Sequence, residues 1–69
     1  MHFVQSVLLR RDMMTLGEAR KWIRDHNYHD YKVDITDRFY RFRQHEPLPF
    51  VRYRTIDLGN VGELIVAYA

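Results

Sequence analysis

The sequence contains no cysteine, which excludes a disulfide framework, a thiol nucleophile and a cysteine zinc site. Its apolar runs are far shorter than the roughly 20 residues that span a membrane as a helix. The first residues also lack the pattern of a signal peptide. The three glycines do not form a phosphate loop, and the single serine, Ser6, is not in a nucleophile elbow. These absences favour a soluble intracellular protein that does not bind a cofactor.

The length of 69 residues suits one small domain, which we place over residues 1–69. A chain this short buries only about 60% of its unfolded surface, so its core is modest. Apolar residues make up 46% of the chain and charged residues 29%, which is typical of a folded globular domain. The length excludes a multidomain enzyme and a (β/α)₈ barrel.

One segment has the features of an amphipathic helix. Thr15 followed by Glu18 is the signature of a capping box, and Asn27 suits the left-handed position after a helix. Between them, residues three and four apart fall on one helical face: Leu16, Ala19, Trp22, Ile23 and His26. We therefore predict a helix over 16–26, with Trp22 in the core rather than exposed as a stacking platform for a base.

The remaining segments are typical of β-strands. The patterns predict strands over 2–9, 32–36, 38–44, 50–58 and 63–68, with a turn over 59–62. Two prolines separate the third strand from the fourth. The order β-α-β-β-β-β predicts an α+β domain, with a single helix packed on a mainly antiparallel sheet. The alternative is a smaller number of strands, with the first or second segment irregular.

Several blocks of the sequence resemble those of a known family. They are FVQSVL at residues 3–8, TLGEARKWI at 15–23, HNY at 26–28, KVDIT at 32–36 and YRFRQ at 40–44. The pattern resembles a small uncharacterised domain of tailed phages and large DNA viruses, sometimes encoded near capsid-assembly genes. The resemblance implies a viral context, in the host cell or virion, but no reaction and no catalytic residues.

Arginines are concentrated in one region of the chain. Residues 38–54 hold five arginines and a single acid, Glu46, although the whole chain has a net charge of only +2. Since alternate residues of a strand share a side, Arg41 pairs with Arg43 and Arg52 pairs with Arg54. On neighbouring strands, these four guanidinium groups would form one patch. The patch could contact phosphates with help from Arg38, be balanced by acids such as Asp34 and Asp57, or simply face solvent.

Candidates for catalysis and metal binding are few. Glu18 is explained by the capping box, Asp37 by a turn, and Ser6 lies in the apolar first strand. His26 and His29 straddle the end of the helix, a spacing that does not suit metal ligation. His26 is better placed to cap the helix C-terminus, and His29 is expected to be exposed. We therefore expect no enzymatic activity and no metal site.

The last apolar segment is the candidate for self-association. A segment this apolar is usually a buried strand. If residues 64–68 instead form an exposed edge strand, their free backbone groups would pair with another chain; the side chains concerned are Leu64, Ile65, Val66 and Tyr68. The first hypothesis is a non-enzymatic viral interaction or assembly module. It would form a homo-oligomer, most simply a two-fold dimer, or bind another viral protein. The alternative is a nucleic-acid-binding module. No membrane partner is expected.

Overall fold

The computed structural model describes residues 1–68 and has the predicted order of elements. The strands are β1 (His2–Arg10), β2 (Val33–Ile35), β3 (Phe39–Arg43), β4 (Arg52–Asp57) and β5 (Gly62–Tyr68), and the helix is α1 (Leu16–Asp25). The strands form one antiparallel sheet in the order β2-β3-β1-β5-β4. The α+β class with a single helix is thereby confirmed.

Element boundaries differ from the predictions by only a few residues. The second, third and fourth strands are each shorter than predicted, because their terminal residues lie in the connecting turns. The predicted turn at 59–62 is a short 3₁₀ segment, Gly59–Val61, and Gly62 already begins β5. The first strand is central in the sheet, as its apolar sequence suggests.

Both ends of α1 are held by the capping interactions that the sequence predicts. The Glu18 amide donates to Thr15 Oγ1 at 3.2 Å, and the Thr15 amide donates to Glu18 Oε1 at 2.9 Å. The hydrogen bonds that the Glu18 carboxylate accepts from Thr15, first of all from its backbone amide, lower the pKa of Glu18, because they favour the ionised form. At the other end Asn27 has a φ of 64°, and the Tyr28 amide donates to Ile23 O at 2.9 Å. This is a Schellman ending.

The core lies between α1 and one face of the sheet. It contains the side chains of β1, β3 and α1 that point towards each other: Val7, Leu9, Ala19, Ile23, Tyr40 and Phe42. Trp22 packs against this cluster but is only partly buried, which corrects the prediction of a core position. Its ring stacks on that of His26, with centroids 3.7 Å apart, and is nearly parallel to that of Tyr28, with centroids 6.5 Å apart. Aromatic rings at the end of α1 therefore border the core.

A β-bulge in β1 places a polar side chain inside the fold. The pairing of β1 with β5 shifts register between Val4 and Ser6, so that Gln5 is the extra residue. Gln5 is 5% exposed, and its amide donates to His45 O at 3.0 Å. Through Gln5, the bulge thus binds the segment that follows β3 to the central strand β1.

Gln44 fastens the connection between α1 and β2 in a similar way. Its side-chain amide donates to His29 O at 2.8 Å, and its Oε1 accepts from the His29 amide at 2.8 Å. These two reciprocal hydrogen bonds have the pattern of a hydrogen-bonded residue pair in a β-sheet. They satisfy both the N–H and the C=O group of His29. The His29 side chain is exposed, as predicted.

The two faces of the sheet differ in what covers them. Residues that are cross-strand partners point to the same side, so the face carrying Val7 and Leu9 is the one beneath α1; we call it the helix face. The opposite side, which we call the open face, carries Asp34, Phe39, Arg41, Arg43, Phe3, Ser6, Leu8, Arg10, Glu63, Ile65, Ala67, Tyr53, Thr55 and Asp57.

Candidate functional site

The structure does not bring the four central arginines into one patch. β3 and β4 are separated by β1 and β5, which amounts to three strand spacings or about 14 Å. The two pairs also point to opposite sides: Arg41 and Arg43 lie on the open face, whereas Arg54 is the cross-strand partner of Val66 on the helix face. The two arginines of each pair do share a side, as predicted, but the condition for a single patch is not met, since two strands lie between β3 and β4.

Arg43 is engaged within the chain. Its Nη2 lies 3.7 Å from Asp34 Oδ2, which confirms one of the two expected acidic partners. Its side chain is 32% exposed, and its Nε is buried without a hydrogen-bond partner in residues 1–68. The other expected partner, Asp57, instead accepts from the Gly59 amide at 2.7 Å. Arg43 is therefore tied to the sheet rather than free to reach a ligand.

Arg52 and Arg54 are exposed on the last strand of the sheet. Neither forms an ion pair with a carboxylate of residues 1–68. They lie on an edge strand, where charged side chains discourage edge-to-edge pairing. The positive charge of these two side chains consequently discourages another strand from pairing with the outer edge of β4.

Arg38 lies at one end of the sheet, beside a groove of about 640 Å³. The groove is lined by charges of both signs, and several are already satisfied by the protein. Arg10 contacts both carboxylate oxygens of Asp12, at 3.0 and 2.6 Å, and Arg11 donates to Thr36 O at 2.6 Å. Such a mixed and internally paired lining does not select an anion.

The expected self-association strand is not an edge. β5 is hydrogen-bonded to β1 on one side and to β4 on the other, so its backbone is unavailable for a further strand. Residues 64–68 therefore form an interior strand, as is usual for so apolar a segment, and not the exposed edge that pairing with another chain would need. The four side chains also divide between the faces: Ile65 lies on the open face, and Leu64, Val66 and Tyr68 lie on the helix face.

The open face has an apolar centre. On it Phe3, Leu8 and Ile65 are partly exposed, and Tyr53 is 45% exposed. They surround two small, fully buried residues, Ser6 and Ala67. The sequence analysis did not single out Phe3, Leu8 and Tyr53 as residues of a candidate interface, although the single predicted helix already indicated one. A single helix covers only one side of a sheet, so the other side of the central strand had to be left without a helix.

Charges on the open face are arranged across the strands. Leu8 of β1 is the cross-strand partner of Arg41 on one side and of Glu63 on the other, so the three residues form one row. Glu63 in turn faces Asp57 of β4, and like charges placed directly opposite are unfavourable. Neither Arg41 nor Glu63 forms an ion pair within residues 1–68. Asp34 of β2 is the other cross-strand partner of Arg41, so the complete row is positive at β3 and negative at β2, β5 and β4.

Residues considered for catalysis have structural partners instead. Ser6 is buried, and its hydroxyl donates to Gln5 Oε1 at 2.6 Å. Glu18 is held in the capping box, and His26 Nδ1 lies 2.8 Å from Trp22 O at the helix end. Over residues 1–68, no group of three or more His, Asp or Glu side chains is placed to hold a metal ion.

These features define a class: a single-helix α+β domain whose sheet has one face covered and one face open. No family model, no curated protein and no solved structure matches the chain. In the part of the chain that the structure describes, α1 is too short and too polar to cross a membrane.

Proposed function

We propose that this chain is a non-enzymatic interaction module of a virus, and that it assembles with itself or with another viral protein through the open face of its sheet. One observation carries the proposal: the centre of that face is apolar and lies outside the core beneath α1. Exposed apolar patches rimmed by polar residues mark protein contacts in soluble proteins. The sequence resemblance to phage and large-DNA-virus domains supports the viral setting.

The face also has the composition of a protein interface. It combines aromatic and aliphatic side chains at its centre, Phe3, Leu8, Ile65 and Tyr53, with arginine and carboxylates at its rim. Aromatic residues and arginine are enriched at protein interfaces. Since Ser6 and Ala67 are small, the centre is shallow, which suits another flat surface better than a small ligand.

Site-specific photo-crosslinking tests this function. Benzoylphenylalanine in place of Tyr53, which is 45% exposed on the open face, should form a covalent adduct with a protein partner in cells that make the chain. The matched control replaces Tyr31, which is 67% exposed in the loop before β2. We expect adducts at position 53 and none at 31. Equal yields at both positions, or none at either, would contradict the proposal.

A second candidate, nucleic-acid binding, is favoured by the exposed and unpaired guanidinium groups of Arg52 and Arg54. Phosphate contacts require an affinity that falls steeply with salt. Because the two arginine pairs are separate, replacing Arg52 and Arg54 by glutamine should abolish such binding, whereas the same change at Arg41 and Arg43 should alter it much less. A duplex-binding assay at increasing salt measures this. Absence of binding near physiological salt removes this candidate.

A further inference from the structure

We propose that the partner of the open face is a second copy of this chain, related by a two-fold axis that runs along the central strand β1. This inference rests on the proposed function and specifies its occupant. The argument comes from the row formed by Arg41, Leu8 and Glu63, in which opposite charges flank the middle strand of the sheet.

Such an axis runs parallel to β1 and lies between the two facing sheets. The rotation reverses the order of the strands across the sheet, but it leaves the position of each residue along the strand direction unchanged. It therefore sets β3 of one copy over β5 of the other. Since Arg41 and Glu63 are both cross-strand partners of Leu8, they lie at the same position along the strand direction. Arg41 of each copy then meets Glu63 of the other, and the contact is made twice.

The competing two-fold arrangement is unfavourable. An axis at right angles to the strands would place β3 over β3, and so bring Arg41 and Arg43 of one copy onto the same two residues of the other. The axis along β1 avoids this contact between like charges, and because β1 is the middle strand of five it too covers the full width of both sheets. Sheets that pack face to face keep their strands aligned to within about 30°.

Pairing between copies would also relieve a repulsion within each chain. Glu63 faces Asp57 directly across β5 and β4, and within residues 1–68 neither carboxylate has a cationic partner. Arg41 of a second copy supplies that cation. At the rim the same rotation brings Asp34 towards Asp57 of the other copy, but Asp34 is paired with Arg43 of its own chain at 3.7 Å.

The area of the face predicts the strength of the dimer. Five strands about 4.8 Å apart, and the seven residues of β5 at about 3.3 Å each, give a footprint of about 550 Å². A standard interface buries about 800 Å² per partner. The dimer should therefore be weak, with a dissociation constant in the micromolar range, and its mass must be followed up to about 1 mM chain.

Charge exchange across the interface is the decisive experiment. Sedimentation equilibrium should show a monomer–dimer equilibrium for the natural sequence. Arg41→Glu alone and Glu63→Arg alone should each weaken it by about tenfold or more, since each puts like charges together twice. The chain carrying both changes, and an equimolar mixture of the two single variants, should both recover dimerisation, because each restores two opposite-charge contacts.

Controls separate this inference from the proposed function. Arg52→Glu makes the same charge change on the helix face and should leave the dimer intact. Circular dichroism melts confirm that every variant is folded. A natural chain that stays monomeric at 1 mM, or a dimer insensitive to both reversals, overturns the two-fold pairing. If Tyr53 crosslinking still captures a different protein, the interaction function itself survives.

Discussion

Replacing Gly62 by alanine should remove a large part of the stability of the domain. A Cβ at this position would lie 1.9 Å from the carbonyl oxygen of Leu8 and 2.9 Å from its carbon, and neither backbone atom can move without disturbing β1. The φ of Gly62 is 151°, a conformation that residues with a side chain rarely adopt. Clash and backbone strain together should cost about 3 kcal/mol or more.

The other two glycines provide matched controls for this prediction. At Gly59 the φ is 76° and nothing lies within 4 Å of an added Cβ, so alanine should cost only about 1 kcal/mol of strain. At Gly17 in α1 the nearest atom is Thr15 Oγ1 at 3.9 Å, and alanine should stabilise by about 0.5 kcal/mol. Urea unfolding of the three variants measures the ranking. Equal losses at Gly62 and Gly59 would show that the close approach to β1 is misjudged.

The second large effect is expected for Phe42. Its side chain is fully buried between the sheet and α1, and it is the largest of the fully buried side chains. Phe42→Ala should lower the free energy of unfolding by about 3–5 kcal/mol, through lost burial and the cavity left behind. A domain of this length is stable by only about 3–10 kcal/mol, so the variant should be partly or wholly unfolded at room temperature.

Two further aromatic residues calibrate the Phe42 result. Phe50 is 100% exposed, and Phe50→Ala should leave the thermal midpoint unchanged. Trp22 is partly buried, so Trp22→Ala should fall between the two, with a smaller loss than a core position would give. Thermal melts of the three variants test the order. A larger loss for Trp22 than for Phe42 would place the centre of the core at the aromatic stack of α1 instead.

Local patterns in the sequence were enough for the secondary structure and its capping. The capping box of Thr15 and Glu18, the left-handed Asn27 and the helix-end contact of His26 all involve groups within four residues of each other. Such interactions depend on neighbours along the chain, so residue type and spacing determine them. The alternation of side chains also placed Arg41 with Arg43, and Arg52 with Arg54, on shared sides.

Only the tertiary structure decided how the strands are ordered, and the candidate site depends on that order. Placing β5 between β1 and β4 makes residues 64–68 an interior strand and not a free edge, and placing β1 and β5 between β3 and β4 divided the arginines. It also joined Arg41, Leu8 and Glu63, from three distant parts of the chain, in one row. Strand order is set by which apolar faces best cover each other and by loop reach, both non-local quantities. Alternation within a strand carries no information about its neighbours, so the open face became visible only once the sheet was assembled.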